Sequence, residues 1–214
     1  GRFNIGVVSL NLPQIGILAD GDEEKFFQIL HKRLELCKKA LLLRVELLKK
    51  ITSDVSPIHW QYGAISRLKP GESIEKFMYG GYATLSLGYI GMYEATLLTK
   101  GVSHTTPEGK RFAHRIMDDL NEHIKKWREE TNIGFALYGT PAESLTHRFC
   151  QKDRSRFGNN KDVTDNGYYT NSYHVDVREP INVFDKFAFE SEFEDKSTGG
   201  CISYAEIPNM THNV

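Results

Sequence analysis

Residues 135–145 read FALYGTPAESL: a short apolar run, then Gly139-Thr140-Pro141, then residues that favour a helix. Five apolar or aromatic positions from Ile133 to Tyr138 are long enough for a buried strand. The Gly-Thr-Pro break ends it, and a helix is predicted over about 142–157. A strand that hands over directly to a helix is the repeating unit of an α/β fold with a parallel sheet.

The same alternation extends outward in both directions. On the amino side, Phe112, Ile116, Leu120, Ile124 and Trp127 recur at helical spacing and predict an amphipathic helix. Thr105 and Glu108 have capping-box spacing at its start, and Pro107 suits the first turn. Further upstream, IGVVSLNL (residues 5–12) predicts a buried strand closed by Pro13. Asp20-Gly21-Asp22 predicts a turn. From Glu23 to about Ile51, Phe27, Leu30, Leu34, Cys37, Leu41, Val45 and Leu48 mark a long helix with one buried stripe, Cys37 included as a packed thiol. Residues 52–81 are expected to form loops around a short strand or helix. Residues 83–87 suggest a strand, and Gly88 to Glu94 lead into a short helix. The last sixty residues are rich in Tyr, Asn and Asp, with strands expected at 169–177 and 201–207.

Composition narrows the function classes. The 214 residues are 40% hydrophobic and 26% charged, enough to bury a core. Lys and Arg total 27 against 28 Asp and Glu, a formal charge of -1, so no basic surplus is available to hold nucleic acid. Apolar stretches fall short of the roughly 20 residues that cross a bilayer, so no membrane partner is expected. Cys37, Cys150 and Cys201 form no CxxC pair, which argues against a cysteine zinc site or a disulfide framework. No metal site is expected in the chain, and a reducing cytoplasm is the natural setting. The chain opens without Met and has no tail-like end, which suggests a cut from a longer protein.

The 135–145 junction is also where chemistry is expected. Helix N-termini expose unpartnered N–H groups and a partial positive charge, and ligands in α/β folds gather at the carboxyl ends of strands. Small residues with the Thr140 and Ser144 hydroxyls would suit a phosphate or carboxylate. On spacing alone the plainer reading is favoured, a helix start with Thr140 as N-cap and Glu143 completing a capping box, because that arrangement is common. Asn4, Ser9 and Asn11 are polar positions on an otherwise apolar strand and either line a site or sit satisfied at its edge. His174 and Asp176, two apart on the expected strand 169–177, would share a face, with a structural role favoured over acid–base work. Cys201, after Gly199-Gly200, is expected to be a buried structural thiol rather than a reactive one.

Five long strings carry a family resemblance: GRFNIGVVSLNLPQI (1–15), YATLSLGYIGMYE (82–94), YGTPAESLTHRF (138–149), VTDNGYYTNSYHVDVREP (163–180) and STGGCISYAEIP (197–208). In this order and spacing they resemble the anaerobic (class III) ribonucleoside-triphosphate reductases over nearly the whole chain. The resemblance implies part of a ten-stranded α/β barrel of the glycyl-radical enzyme type, mainly parallel strands with long amphipathic helices. It implies reduction of a ribonucleoside triphosphate at the 2′ carbon by a thiyl radical, itself generated by a C-terminal glycyl radical, with formate as reductant. It also implies a homodimer and a separate radical-SAM activating enzyme.

By the same resemblance, residues 1–214 form one partial domain, the second half of the catalytic barrel. The finger-loop cysteine of a Met-Gly-Cys-Arg-type string, the N-terminal regulatory region, and the C-terminal glycyl-radical segment with its zinc-binding cysteines all lie outside it. None of the three cysteines matches the radical cysteine, so the chain by itself is expected to be inactive and to bind no cofactor. Thr140, Pro141, Ala142, Glu143 and Ser144 match the loop and helix start that receive the substrate phosphates. Asn4 matches the Asn of the family's GRxN string, which faces the active site and helps position the reductant. Phe3 departs from the small residue or Cys that many relatives carry beside it. The alternative is a non-catalytic phosphate-binding or scaffold protein derived from the barrel. A finger-loop cysteine upstream and an RVCGY-type segment downstream in the gene would separate the two.

Overall fold

Three parallel strands form one sheet in the order β1-β2-β3: β1 (Phe3–Asn11), β2 (Ala83–Ile90) and β3 (Gly134–Tyr138). The computed structural model describes residues 3–139 and 142–205, the side chain of Glu143 excepted. Seven α-helices accompany the strands among the described residues: α1 (Leu12–Ala19), α2 (Glu23–Leu48), α3 (Pro57–Trp60), α4 (Met92–Lys100), α5 (Pro107–Thr131), α6 (Glu143–Phe157) and α7 (Val183–Glu194). Parallel neighbours need crossovers, and here α1–α3 carry the chain from β1 to β2, and α4 and α5 from β2 to β3.

The sheet has two chemically different faces. Val8, Leu10, Leu85, Leu87, Phe135 and Leu137 point toward the helices, where α2 and α5 pack. On α2 the buried positions are Phe26, Leu30, Leu34, Cys37, Leu41 and Val45, and on α5 Phe112, Ile116, Leu120, Ile124 and Trp127. Each such side chain removed from water contributes roughly 1.5–3 kcal/mol before conformational entropy is subtracted. Phe26 meets Phe112 edge-on at 5.2 Å, joining α2 to α5, and Trp127 meets Phe135 at 5.5 Å, seating α5 on β3. The opposite face is small and polar: Asn4, Val7 and Ser9 on β1, Thr84, Ser86 and Gly88 on β2, Gly134 and Ala136 on β3.

Several local expectations change. Pro13 does not merely stop the first strand. It occupies the first turn of α1, where its missing N–H costs nothing, and Asn11 caps that helix by accepting from Gln14 N at 3.1 Å. β2 runs on through Gly88 to Ile90, because parallel pairing with β1 extends to Asn11. The cap of α5 is Thr106, which accepts from Gly109 N at 3.2 Å, and not Thr105, whose hydroxyl is spent on Glu179 at 2.7 Å. Helix α7, not expected from sequence, starts at Asn182, whose side-chain oxygen accepts from Phe184 N and Asp185 N, both at 3.0 Å.

The expected strands at 169–177 and 201–207 do not form among the described residues. Only isolated bridges occur, Ile90 with Asn171 and Gly139 with Cys201, and residues 206 and 207 lie outside the described set. Ser172 adopts a left-handed conformation (φ 42°), and His174 N bonds back to Asn171 O, so the segment turns instead of extending. Its carbonyls nevertheless serve the sheet's end: Gly91 N donates to Thr170 O and Met92 N to Ser172 O.

Candidate functional site

Two hollows open on the polar face of the sheet. The first, about 610 Å³, is lined by Phe3, Asn4, Thr84, Ser86, Arg128 and Ala136 among others. Asn4 is exposed to it yet held firmly: its amide donates to Ser86 Oγ at 2.7 Å, and its carbonyl oxygen accepts from Gly6 N at 2.7 Å. Those two bonds fix the rotamer while leaving the residue accessible. Arg128 reaches the same hollow from α5 and donates to the carbonyl of Phe135.

The second hollow, about 480 Å³, lies toward the carboxyl ends of the strands and the start of α6, among Ser9, Gly88, Tyr138, Ala142, Leu145 and Arg148. Gly88 is small for a reason: a Cβ there would stand 2.6 Å from Ser9 Oγ and fill the gap between β1 and β2. The four residue steps from Thr84 to Gly88 span about 13 Å by strand rise, and Thr84, Ser86 and Gly88 share one face, so the two hollows lie along it.

Of the anion-binding residues expected from sequence, Ala142 lines this second hollow, and Ser144 is exposed on the first turn of α6. Ala142 is the N-cap and supplies no side-chain cap bond; its own N–H donates to Asn171 Oδ1 at 2.9 Å. Thr140 and Pro141 lie outside the described residues, as does the side chain of Glu143. Arg148, exposed one turn after Ser144, was missed by the sequence reading. Its i+4 spacing from Ser144 was the available signal, since that puts a cation on the same helix face. Asn11 proves to be a satisfied edge residue: its amide donates to Asp153 at 2.7 Å, and the buried Asp153 also accepts from Gln14 and from Tyr169.

His174 and Asp176 do not act as a pair. His174 is fully buried, 3.3 Å from the equally buried Glu190, while Asp176 accepts from Arg178 Nε at 2.7 Å. Burial would raise the Asp176 carboxyl, but the Arg178 guanidinium and main-chain N–H outweigh it and hold it below the ordinary range. Cys201 is exposed, contrary to the buried thiol expected. Its partial desolvation, with Glu194 and Asp195 nearby, raises its pKa, the opposite of an activated thiol. Cys37 and Cys150 are buried, and burial pushes both up to about 11. The buried acid missed by sequence is Glu94 on α4, which accepts from Thr170 N at 2.7 Å and Thr170 Oγ1 at 2.9 Å. It ties the 168–176 segment to the end of β2.

Comparison with known proteins gives a uniform result. The family model described as anaerobic ribonucleoside-triphosphate reductase matches residues 1–214. The anaerobic ribonucleoside-triphosphate reductase of Enterobacteria phage T4 is 42% identical over 219 residues, covering 100% of this chain and 35% of that protein. The Haemophilus influenzae enzyme of the same name is 43% identical over 217 residues, with 100% and 31% covered. The chain thus spans about a third of the relatives it matches. In structure, the Thermotoga maritima anaerobic ribonucleotide reductase with citrate in its active site superimposes with a TM-score of 0.71 at 26% identity, covering 94% of this chain and 37% of that one. The same enzyme in complex with dATP and CTP gives 0.70 at 26% identity, with 96% and 35% covered. The α/β architecture with a parallel sheet agrees with those structures, of whose barrel this chain covers a part.

Proposed function

The chain belongs to the anaerobic ribonucleoside-triphosphate reductase family, an enzyme family, and from that premise we propose that it forms the second half of such an enzyme's catalytic barrel and grips the polyphosphate of a ribonucleoside triphosphate. The observation that carries this is the single small, polar sheet face, which joins the Asn4–Ser86 pair at one end to the start of α6 and Arg148 at the other. A nucleotide laid along it has a fixed amide beside its sugar and a helix N-terminus with a guanidinium beside its phosphates.

Each residue has a task that its chemistry suits. The N–H groups of Glu143 and Ser144 at the start of α6 and the Ser144 hydroxyl donate to phosphate oxygens, while the Ala142 N–H, held by Asn171 Oδ1, fixes the turn before them. Arg148 supplies charge that the helix dipole alone does not. Gly88 keeps the face open for close approach. Asn4, locked by Ser86 and Gly6, orients the reductant, for which formate is the proposed molecule. Thr140, Pro141 and Glu143 remain part of the proposed phosphate loop.

The radical chemistry resides in parts beyond residues 1–214, where the finger-loop cysteine, the glycyl radical and the zinc-binding cysteines are placed by this reading. Residues here bind and orient. The complete enzyme would work in the cytoplasm as a homodimer after activation by a radical-SAM protein. The test is triphosphate affinity of the full-length enzyme with Arg148→Ala and Ser144→Ala. Arg148→Ala should weaken binding about tenfold or more, the worth of one charge-assisted contact of roughly 1.5–3 kcal/mol. Unchanged affinity in both variants would remove α6 from the phosphate site.

A further inference from the structure

We infer that His31, Asp119 and His123 form a site for a borderline divalent transition metal, Zn²⁺ or its Co²⁺ and Ni²⁺ analogues, bridging α2 and α5 on the side of those helices away from the sheet's polar face. His31 comes from α2, while Asp119 and His123 stand one turn apart on α5. One ligand atom from each lies within 4.8 Å of the other two. His31 Nε2 is 2.9 Å from Asp119 Oδ1, and His123 Nδ1 is 3.6 Å from Asp119 Oδ2. Metal–ligand bonds near 2.1 Å place tetrahedral ligand atoms about 3.4 Å apart, between those two separations. Side-chain adjustments alone would therefore close the set around an ion.

An independent observation points to a cation. Asp119 Oδ2 is shielded from solvent and has no hydrogen-bond partner among the described residues. A carboxylate oxygen in that state has lost water without gaining a donor, a cost that a bound cation removes. His123 Nδ1 lies 2.8 Å from the carbonyl of Asp119, a contact it would exchange for the metal, and the two imidazoles lie 4.9 Å apart. Next to the cluster, a hollow of about 710 Å³ is lined by His31 and Asp119 together with Glu23, Glu24, Asp118 and Glu122. Arg115 also lines it, but Arg115 is paired with Glu23. Two imidazoles and one carboxylate select Zn²⁺, Co²⁺ or Ni²⁺ over Mg²⁺ or Ca²⁺, which prefer all-oxygen sets. Three protein ligands leave a position for water, so the site would clamp the two outer helices without being fully closed.

The experiment compares the full-length protein with its His31→Ala and His123→Ala variants, all stripped of metal by chelation and dialysed against graded Zn²⁺. His31 has 49% of its side chain exposed, so its truncation leaves the core intact. The unmodified protein should hold one more zinc equivalent than either variant, or bind it more than about tenfold more tightly, since even a ligand's hydrogen-bond partner is worth that much. With Co²⁺, the difference spectrum between protein and variant should show d–d bands without sulfur charge transfer. His31→Gln, which keeps side-chain length, should behave as His31→Ala. Equal zinc stoichiometry and affinity in all forms would overturn the inference, and so would a difference spectrum carrying sulfur-to-cobalt bands.

Discussion

Replacing Glu94 by Gln should remove a pH dependence that the fold builds in. Glu94 is 1% exposed; one carboxylate oxygen accepts twice from Thr170, and the other is buried without a partner. Burial, reinforced by Asp176 nearby, raises its pKa from 4.5 to about 7 despite those hydrogen bonds. Between pH 4.5 and about 7 the folded protein therefore keeps a proton that the unfolded chain has released. Stability falls as pH rises through that window, and the full penalty is present above it. At 1.36 kcal/mol per pH unit the loss is about 3 kcal/mol. Glu94→Gln keeps an oxygen for Thr170 and carries no charge, so it should be insensitive to pH at this position. Urea unfolding at pH 5 and pH 8 reads the difference: the unmodified protein should lose about 2.5 kcal/mol more than the variant over that interval, part of the penalty being present already at pH 5. Parallel stability profiles for the two would refute the assignment of the penalty to Glu94.

Three further outcomes are expected. Gly91→Ala should destabilise by at least about 2 kcal/mol in denaturant unfolding, because φ is +79° and the new Cβ would stand 2.2 Å from the Pro13 ring. Thr106→Ala removes the side-chain acceptor for Gly109 N at the start of α5 and should cost about 1 kcal/mol, while Thr106→Asp should restore most of it. In the full-length enzyme, Asn4→Ala should cut formate-supported turnover on the order of tenfold to hundredfold while the circular dichroism spectrum stays unchanged, since the amide touches Ser86 and Gly6 only at the rim of the sheet. Unaltered turnover would take Asn4 out of the site.

Local patterning alone determined the long helices and the apolar strands. The 3.6-residue stripe from Leu30 to Val45, and that from Phe112 to Trp127, are one-dimensional signals of a buried face, and both faces are buried. Asn4 and the 135–145 junction could be singled out for the same reason, since a polar residue on an apolar strand or a Gly-Thr-Pro break stands out against its neighbours. Tertiary structure decided what those residues touch. Tyr169 to Val177 alternates like a strand, yet its carbonyls are drawn to Gly91 and Met92 and its amide at Thr170 to a carboxylate 76 residues away. Cys201 follows two glycines whichever way it faces, and the path of the chain around Gly139 exposes it. His31 lies 88 residues from Asp119, and only the packing of α2 on the sheet beside α5 brings them to 2.9 Å. Periodicity records which side of an element avoids water. Hydrogen bonds, ion pairs and ligand sets depend on distances between elements, and those are set by how the buried faces pack together.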